Sequence, residues 1–210
     1  MERFFGRMKY MSREEALKIL KENLSNQNLI KHCFAVEAIM RALARYFRDY
    51  NPPTTSSHSL HERTPDEGKW GLVGLLHDID YEKVKDDLSQ HSLLGAKMLK
   101  DLGVDEDICQ AVKVHNEAHG LSPQTLLEKS LFVTDPLTGL IVAATLVLPS
   151  RKIADLTSDN VLNRFKEKSF ARGVNREIIR KCEEHLDLKL EEFVKIGLQS
   201  MQGISQDLGL

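Results

Sequence analysis

The sequence predicts an all-α protein that folds as a single-domain helical bundle. Apolar side chains recur at helical intervals of three and four positions along most of the 210 residues. No segment shows the sustained alternation of apolar and polar residues that is typical of a half-buried strand. With 41% hydrophobic residues, a chain of this length can bury one sizeable core.

The first two helices are predicted from a start signal and from a long apolar stripe. Ser12 and Glu15 have the spacing of a capping box, so a helix should occupy about 13–23. Residues 28–48 place their apolar side chains on one face, which predicts an amphipathic helix against a core. Residues 1–11 precede these signals and are expected to form an N-terminal extension.

A polar surface loop is predicted at about 50–68. Prolines, threonines and serines replace the apolar period there. His58 and His61 lie in this stretch, and we interpret both as solvated loop histidines rather than ligands.

The remaining helices follow from periodicity and from proline and glycine at their boundaries. Gly103 is expected to end one helix, and Ser122 with the following proline is interpreted as the start of another. The predicted spans are 69–78, 92–102, 105–115, 124–134, 136–147, 159–168, 175–185 and 189–202. Residues 12–150 should form the core, and 151–210 should be C-terminal helices packed on it within the same domain.

Composition argues against several kinds of partner and compartment. A formal net charge of −2 gives no basic surface for nucleic acid or an anionic membrane. Cys33, Cys109 and Cys182 are isolated in apolar patterns, so we expect buried thiols in a reducing compartment. No signal peptide is evident, and the longest apolar stretch, 139–148, is too short to span a bilayer. The protein is therefore expected to be cytoplasmic.

The dipeptide His77-Asp78 is the strongest indication of chemistry. It ends an apolar run, where burial would penalise both polar side chains unless a cation lay between them. Other candidate ligands occur in separate predicted helices or beside them. Together the candidates are His32, His77, Asp78, His91, His115 and Asp135. We interpret this set as a metal site.

The pattern resembles the HD superfamily of metal-dependent phosphohydrolases, which is named for this dipeptide. The likeness covers about residues 15–147 and is strongest in 28–42, 70–81 and 91–99. Throughout its length the chain also looks like the small, mostly uncharacterised bacterial and archaeal HD-domain proteins. The resemblance implies a helical bundle of the HD-domain type.

The resemblance also implies which residues bind metal. In that superfamily the first histidine, the His-Asp pair and a late aspartate bind one ion, here His32, His77, Asp78 and Asp135. Members with two ions insert two further histidines, which match His91 and His115, with Asp78 bridging the pair. His119 competes with His115, but only His115 continues the apolar face of its predicted helix.

This donor set has chemical consequences. Imidazole and carboxylate suit Mn²⁺, Fe²⁺, Ni²⁺ or Zn²⁺ better than Ca²⁺. A water bridging two such ions would lose a proton near neutral pH and act as the nucleophile, oriented by the bridging Asp78. The absence of a nucleophile elbow and of a glycine-rich phosphate loop agrees with this chemistry.

The chain departs from the superfamily pattern at the dipeptide. Many phosphohydrolases read His-Asp-Ile-Gly-Lys, whereas Asp80 and Tyr81 stand here in place of glycine and lysine. Lys83 and Lys85 are close enough in sequence to replace the phosphate-binding lysine. The Gly-Tyr-Pro signature of cyclic-dinucleotide phosphodiesterases is missing, which disfavours that activity. Asn116, His119 and Lys152 are weaker candidates for contacting a substrate anion.

The expected function is hydrolysis of a small phosphate ester or anhydride such as a nucleotide. Two alternatives stay open on the same residues. Some superfamily members with these six ligands are mixed-valent di-iron oxygenases, and the ligand set does not separate hydrolysis from oxidation. A non-catalytic nucleotide-binding module is the other alternative, favoured by Asp80 and Tyr81. The sequence does not indicate an oligomeric state.

Overall fold

The structure is a computed structural model, and it describes residues 11–49 and 64–210. Within those ranges the regular secondary structure is helical and contains no strand, so the all-α prediction is confirmed. The first ten residues of the predicted extension and positions 50–63 of the predicted loop lie outside the described residues. The interpretation of His58 and His61 therefore stays a prediction.

Helix α1 spans Arg13–Asn23 and α2 spans Gln27–Asp49, both within two residues of their predicted bounds. The capping box is present: the Glu15 backbone N–H donates to Ser12 Oγ at 3.2 Å, and the Ser12 N–H donates to a Glu15 carboxylate oxygen at 2.8 Å. The stripe of α2 is buried in the core and includes Ile30, Cys33, Val36, Ile39, Met40 and Leu43.

Helix α3 spans Glu67–Leu76, two residues earlier at each end than the predicted 69–78. It begins where Asp66 caps the backbone amide of the third helical residue, at 2.7 Å. Its last seven residues are all buried. Because the helix ends at Leu76, His77 and Asp78 lie on the turn that follows it.

Two glycines allow α3 to lie directly against α2. A Cβ atom built at Gly74 would be 2.7 Å from the backbone nitrogen of Glu37, which is closer than side chains tolerate. A Cβ at Gly71 would be 2.5 Å from the guanidinium carbon of Arg41. The absence of side chains at these two positions sets the distance between α2, which carries His32, and α3, whose end is followed by His77.

Helices α4, Leu93–Asp101, and α5, Glu106–Val114, are joined by a short turn. Gly103 has φ +74°, a conformation that glycine adopts without strain. The Val104 N–H donates to Leu99 O at 3.0 Å and closes a Schellman motif. The turn agrees with the predicted end of a helix at Gly103.

Helix α6 spans Leu126–Leu146 and corrects two predictions. Its N-cap is Thr125, not Ser122, because the Glu128 N–H donates to the Thr125 hydroxyl at 3.2 Å. Pro136 lies inside the helix, so the two helices predicted at 124–134 and 136–147 are one. A proline removes one backbone hydrogen bond, and we attribute the continuity of α6 to its extensive packing in the core.

By length and composition alone, α6 could also cross a membrane. Its mean hydropathy reaches 1.2 over an 18-residue window. This window is longer than the apolar stretch at 139–148, which was predicted to be too short to span a bilayer. In the fold, 61% of that window is buried, and the helix contacts α2, α5 and several helices of the C-terminal part. These contacts are those of a core helix.

The C-terminal part contains five further helices. They are α7 Ser158–Lys166, α8 Arg176–Arg180, α9 Cys182–Leu186, α10 Leu190–Gln202 and α11 Ser205–Leu208. The helix predicted at 175–185 is interrupted at Lys181. Helix α10 packs on α6 and α2, since a Cβ at Gly197 would meet side chains of Leu137, Ile141 and Ile39. All three cysteines are free and buried.

Candidate metal centre

The candidate ligands come from five parts of the chain that the fold brings together. His32 lies on α2, the His77-Asp78 pair follows α3, and Asp135 lies on α6. His91 lies just before α4, and His115 is the C-cap of α5.

One group of contacts joins α2, the turn after α3, and α6. His32 Nε2 is 3.0 Å from a carboxylate oxygen of Asp135 and 3.1 Å from His77 Nε2. His77 Nε2 is 3.8 Å from the same Asp135 oxygen. Three donor atoms thus surround a space of the size that a single cation requires.

Asp78 connects this group to the other two histidines. Its Oδ2 atom is 3.5 Å from His32 Nε2. Its Oδ1 atom faces three imidazoles, at 3.4 Å from His77 Nε2, 3.3 Å from His91 Nε2 and 3.6 Å from His115 Nε2. The carboxylate therefore lies between the two halves of the cluster, where a bridging ligand would lie.

The second nitrogen of each ring is anchored as a donor, which leaves Nε2 directed inward. His77 Nδ1–H donates to Gly74 O at 2.9 Å, and His115 Nδ1–H donates to Val112 O at 2.6 Å. A neutral imidazole whose Nδ1 carries the proton has its lone pair on Nε2. Such outward hydrogen bonds fix the tautomer of metal-binding histidines.

His32 and His91 are anchored by side chains. The Thr138 hydroxyl donates to Asp135 O at 2.8 Å and accepts from His32 Nδ1–H at 3.0 Å. His91 Nδ1–H donates to the carboxylate of Asp80 at 2.9 Å. All four imidazoles therefore have the same orientation toward the centre.

His115 provides a direct test of whether a cation fits. Its side chain is 1% exposed, and its Nε2 atom has no hydrogen-bond partner among the described residues. Leaving a buried polar atom without a partner is costly, so native structures rarely do it. A divalent cation beside Asp78 would satisfy that nitrogen, and the surrounding imidazoles and carboxylates are the donors such an ion takes.

The electrostatics of the clustered side chains agree with this geometry. Burial opposes ionisation of Asp78, but the neighbouring His77, His115 and His91 hold its pKa well below the usual range. Burial lowers the pKa of His77 to about 4, which keeps it neutral at pH 7. Burial also disfavours a charge on His91, yet Asp78 and Asp80 raise its pKa to about 10. The two carboxylates therefore favour a positive charge at this position beside Asp78.

The weaker predicted substrate contacts are arranged differently. Asn116 Nδ2 donates to His91 O at 3.3 Å, and His119 Nε2 donates to the same oxygen at 2.6 Å. Both side chains thus hold the backbone of a candidate ligand. Lys152 is exposed and follows α6, which ends about 12 Å along its axis beyond Thr138. Within the described part of the chain, no contact joins Lys152 to the six candidate ligands.

Sequence reasoning missed two residues of the site. Thr138 was not singled out, although its position one helical turn after Asp135 was a usable signal. Asp80 was interpreted as the replacement of a glycine that favours a binding module, and not as a partner of His91. It is fully buried and accepts three hydrogen bonds, from His91 Nδ1, Ser92 N and Gly95 N. The partners of Asp80 lie 11 to 15 residues away, so its role depended on tertiary structure.

Comparison with known families decides the classification. The HD domain family matches residues 29–140, slightly more than half of the chain. The chain belongs to the HD domain family. The matched region runs from α2 into α6 and contains all six candidate ligands.

Two curated proteins are similar to this HD domain chain. An uncharacterized protein of Methanocaldococcus jannaschii is 28% identical over 163 residues, which cover 75% of this chain and 86% of that protein. Ribonuclease Y of Lawsonia intracellularis is 30% identical over 109 residues, covering 50% of this chain and 21% of the ribonuclease. The second likeness is therefore partial. No solved structure matches the chain.

Proposed function

We propose that this HD domain protein is a metal-dependent phosphohydrolase acting on a small phosphate ester or anhydride, with a nucleotide as the expected substrate class. One observation carries the proposal: four imidazole Nε2 atoms lie 3.3 to 3.6 Å from the two oxygens of one buried carboxylate, that of Asp78.

The donor set divides into two overlapping positions. His32, His77, Asp78 and Asp135 would hold one cation, and His91, His115 and Asp78 would hold a second. Mn²⁺, Fe²⁺, Ni²⁺ and Zn²⁺ match these ligands. When bound, a divalent cation supplies Lewis-acid polarisation of a phosphoryl oxygen and lowers the pKa of water.

The exposure of the ligands indicates the side from which a substrate would arrive. The side chains of His77 and His115 are 0% and 1% exposed, whereas those of His32 and Asp135 are 25% and 34% exposed. A phosphate group would therefore approach beside His32 and Asp135. The buried histidines form the floor of the site and exclude water from that side.

Family membership supports the reaction class. HD domain proteins are generally metal-dependent hydrolases. The partial likeness to a ribonuclease agrees with chemistry at a phosphate ester. We propose that RNA is not a substrate of this chain, because its net charge of −2 provides no overall attraction for a polyanion.

We also propose that the protein works in the cytoplasm without binding a membrane. Its three cysteine thiols are free and buried, which agrees with a reducing compartment.

The test is metal-dependent turnover on a defined panel. Purified protein is depleted with a chelator, reloaded with Mn²⁺ or Ni²⁺, and assayed for phosphate release from nucleoside mono-, di- and triphosphates. Asp78→Asn should lose metal and activity. His185→Gln changes a histidine outside the centre that packs against Phe132, and it should retain both. Metal-independent phosphate release, or full activity of Asp78→Asn, would refute the proposal.

Two other functions give different outcomes in the same experiment. Consumption of O₂ by Fe²⁺-loaded protein, without phosphate release, would indicate a di-iron oxygenase. Tight nucleotide binding with neither activity would indicate a binding module. Asp80 and Tyr81, where many HD phosphohydrolases have glycine and lysine, are the residues that favour the binding module.

A further inference from the structure

Asp80 is a fully buried carboxylate beside the centre that is not itself a candidate ligand. Its Oδ1 atom accepts from His91 Nδ1 at 2.9 Å, and its Oδ2 atom accepts from Ser92 N at 2.8 Å and Gly95 N at 2.7 Å. One side chain thus holds an imidazole and two backbone amides. Its position in sequence, two residues after Asp78, links it covalently to the ligand pair.

Helix α4 lacks a cap of its own. Its N-cap residue, Ser92, makes no side-chain capping bond, and its hydroxyl donates instead to Lys113 O on α5 at 3.0 Å. Ser92 also has φ +70°, an uncommon conformation for a residue with a side chain. The Asp80 carboxylate supplies the missing cap from another part of the chain. Gly95 leaves room for it, since a Cβ there would lie 3.1 Å from the Asp80 carboxyl carbon.

We propose that Asp80 is a positioning residue of the metal centre, which both caps α4 and sets the tautomer and direction of His91. The proposal rests on the metal-dependent function proposed above. As long as a carboxylate faces Nδ1, that nitrogen must carry the proton, and the lone pair of a neutral His91 is on Nε2, toward Asp78. The replacement of glycine by Asp80 thus strengthens the second metal position.

Asp80→Asn separates the two roles. The amide oxygen can accept from Ser92 N and Gly95 N, which keeps the cap on α4. The amide nitrogen then faces His91 and donates to Nδ1, so the ring proton moves to Nε2, which can no longer bind a cation. The variant should therefore fold with α4 in place and bind the cation at the second position more weakly.

The same turn offers a matched control. Glu82 caps the start of α2, with one oxygen accepting from Ser25 N at 2.9 Å and Asn26 N at 2.6 Å. Its other oxygen accepts from the Ser25 hydroxyl at 2.9 Å. Glu82→Gln makes the same change from carboxylate to amide at a helix cap, but no histidine hydrogen-bonds to this side chain among the described residues.

The experiment is a Co²⁺ titration of chelator-treated protein, followed by absorption and elemental analysis. We expect two equivalents in the wild type and in Glu82→Gln. In Asp80→Asn the second equivalent should bind roughly 10- to 100-fold more weakly and the first as in the wild type. In Zn²⁺-loaded protein, the nuclear magnetic resonance signal of the His91 Nδ1 proton should be present in the wild type and absent in Asp80→Asn.

The outcomes separate this inference from the proposed function. Two tight equivalents in both the wild type and Asp80→Asn would overturn the role of Asp80 alone. Loss of an equivalent in Glu82→Gln as well would attribute the effect to capping in general and would also overturn it. A wild type that binds one equivalent would refute the second position and this inference. A wild type that binds none would refute the metal-dependent function as well.

Discussion

Gly74→Ala tests how closely α3 must approach α2. A Cβ atom at this position would lie 2.7 Å from the backbone nitrogen of Glu37 and 2.8 Å from its Cα, whereas ordinary contact begins at 3.4 Å. Both neighbours are main-chain atoms, so no flexible side chain can move aside. Helices α2 and α3 would have to separate by roughly half an ångström or more. The separation would occur close to the contact between His32 and His77.

Two effects of the added methyl group oppose each other. Overpacking a well-packed contact costs about 1–3 kcal/mol. Replacing glycine by alanine within a helix stabilises it by about 1 kcal/mol. Because the clash is with backbone, we expect a net loss of about 1–2 kcal/mol, which lowers the unfolding midpoint by about 2–8 °C. Metal affinity should fall as well, since His77 moves with the end of α3.

Gly139→Ala is the matched comparison. Gly139 is exposed on α6, and a Cβ there would meet only Val174 Cγ2, at 3.5 Å. We expect a gain of about 0.5–1 kcal/mol from helix propensity alone. Both variants are compared with the wild type by urea and thermal unfolding of metal-free protein, followed by circular dichroism. If Gly74→Ala were as stable as the wild type, the close approach of the two helices would not be as described.

Three further predictions concern hydrogen bonds. Thr138→Val leaves His32 Nδ1 without its hydrogen-bond acceptor and should weaken metal binding roughly 10- to 100-fold, as measured by competition with a chelator. Unchanged metal affinity would mean that Thr138 does not position His32. Arg176→Lys removes a planar guanidinium whose Nε and Nη atoms donate hydrogen bonds to several backbone carbonyls. The free energy of unfolding in urea should fall by about 1–3 kcal/mol. An unchanged free energy of unfolding would mean that these hydrogen bonds are dispensable. Backbone amides at the start of α2 lower the pKa of Glu82, so the stabilisation that its carboxylate gives is present above pH 4.5 and is lost as the pH falls through the lowered pKa. Glu82→Gln should therefore lower the thermal unfolding midpoint at pH 7 but not in strong acid. A difference in midpoint that persisted in acid would contradict this linkage.

The fold was predictable where one local signal dominated. The stripe of 28–48 repeats over six turns, so α2 was predicted to within one residue at each end. The predicted break before Pro136 was wrong because a sequence pattern gives the local cost of a proline but not the packing around it. The start of α6 was misplaced for a similar reason, since both Ser122 and Thr125 are good capping residues and only the contact with Glu128 distinguishes them.

The candidate site shows the same division. His32, His77, Asp78, His91, His115 and Asp135 were named as a set, and the fold brings these side chains together. Residues that hold the ligands were less accessible to sequence reasoning. Asn116 and His119 were interpreted as substrate contacts, but they donate to the carbonyl of His91, a partner that no spacing along the chain indicates. Their role toward a substrate stays a prediction.

The segment from His77 to Glu82 combines two ligands with the caps of two helices. Six consecutive residues thereby fix where α2 and α4 begin relative to the centre. A single residue inserted between Asp78 and Asp80 would move the capping carboxylates relative to the two ligands. It would therefore disturb the caps and the metal ligands together. We therefore expect length variation among natural relatives to be excluded from this turn. Engineered grafts or circular permutations of the chain should therefore leave the segment from His77 to Glu82 uninterrupted.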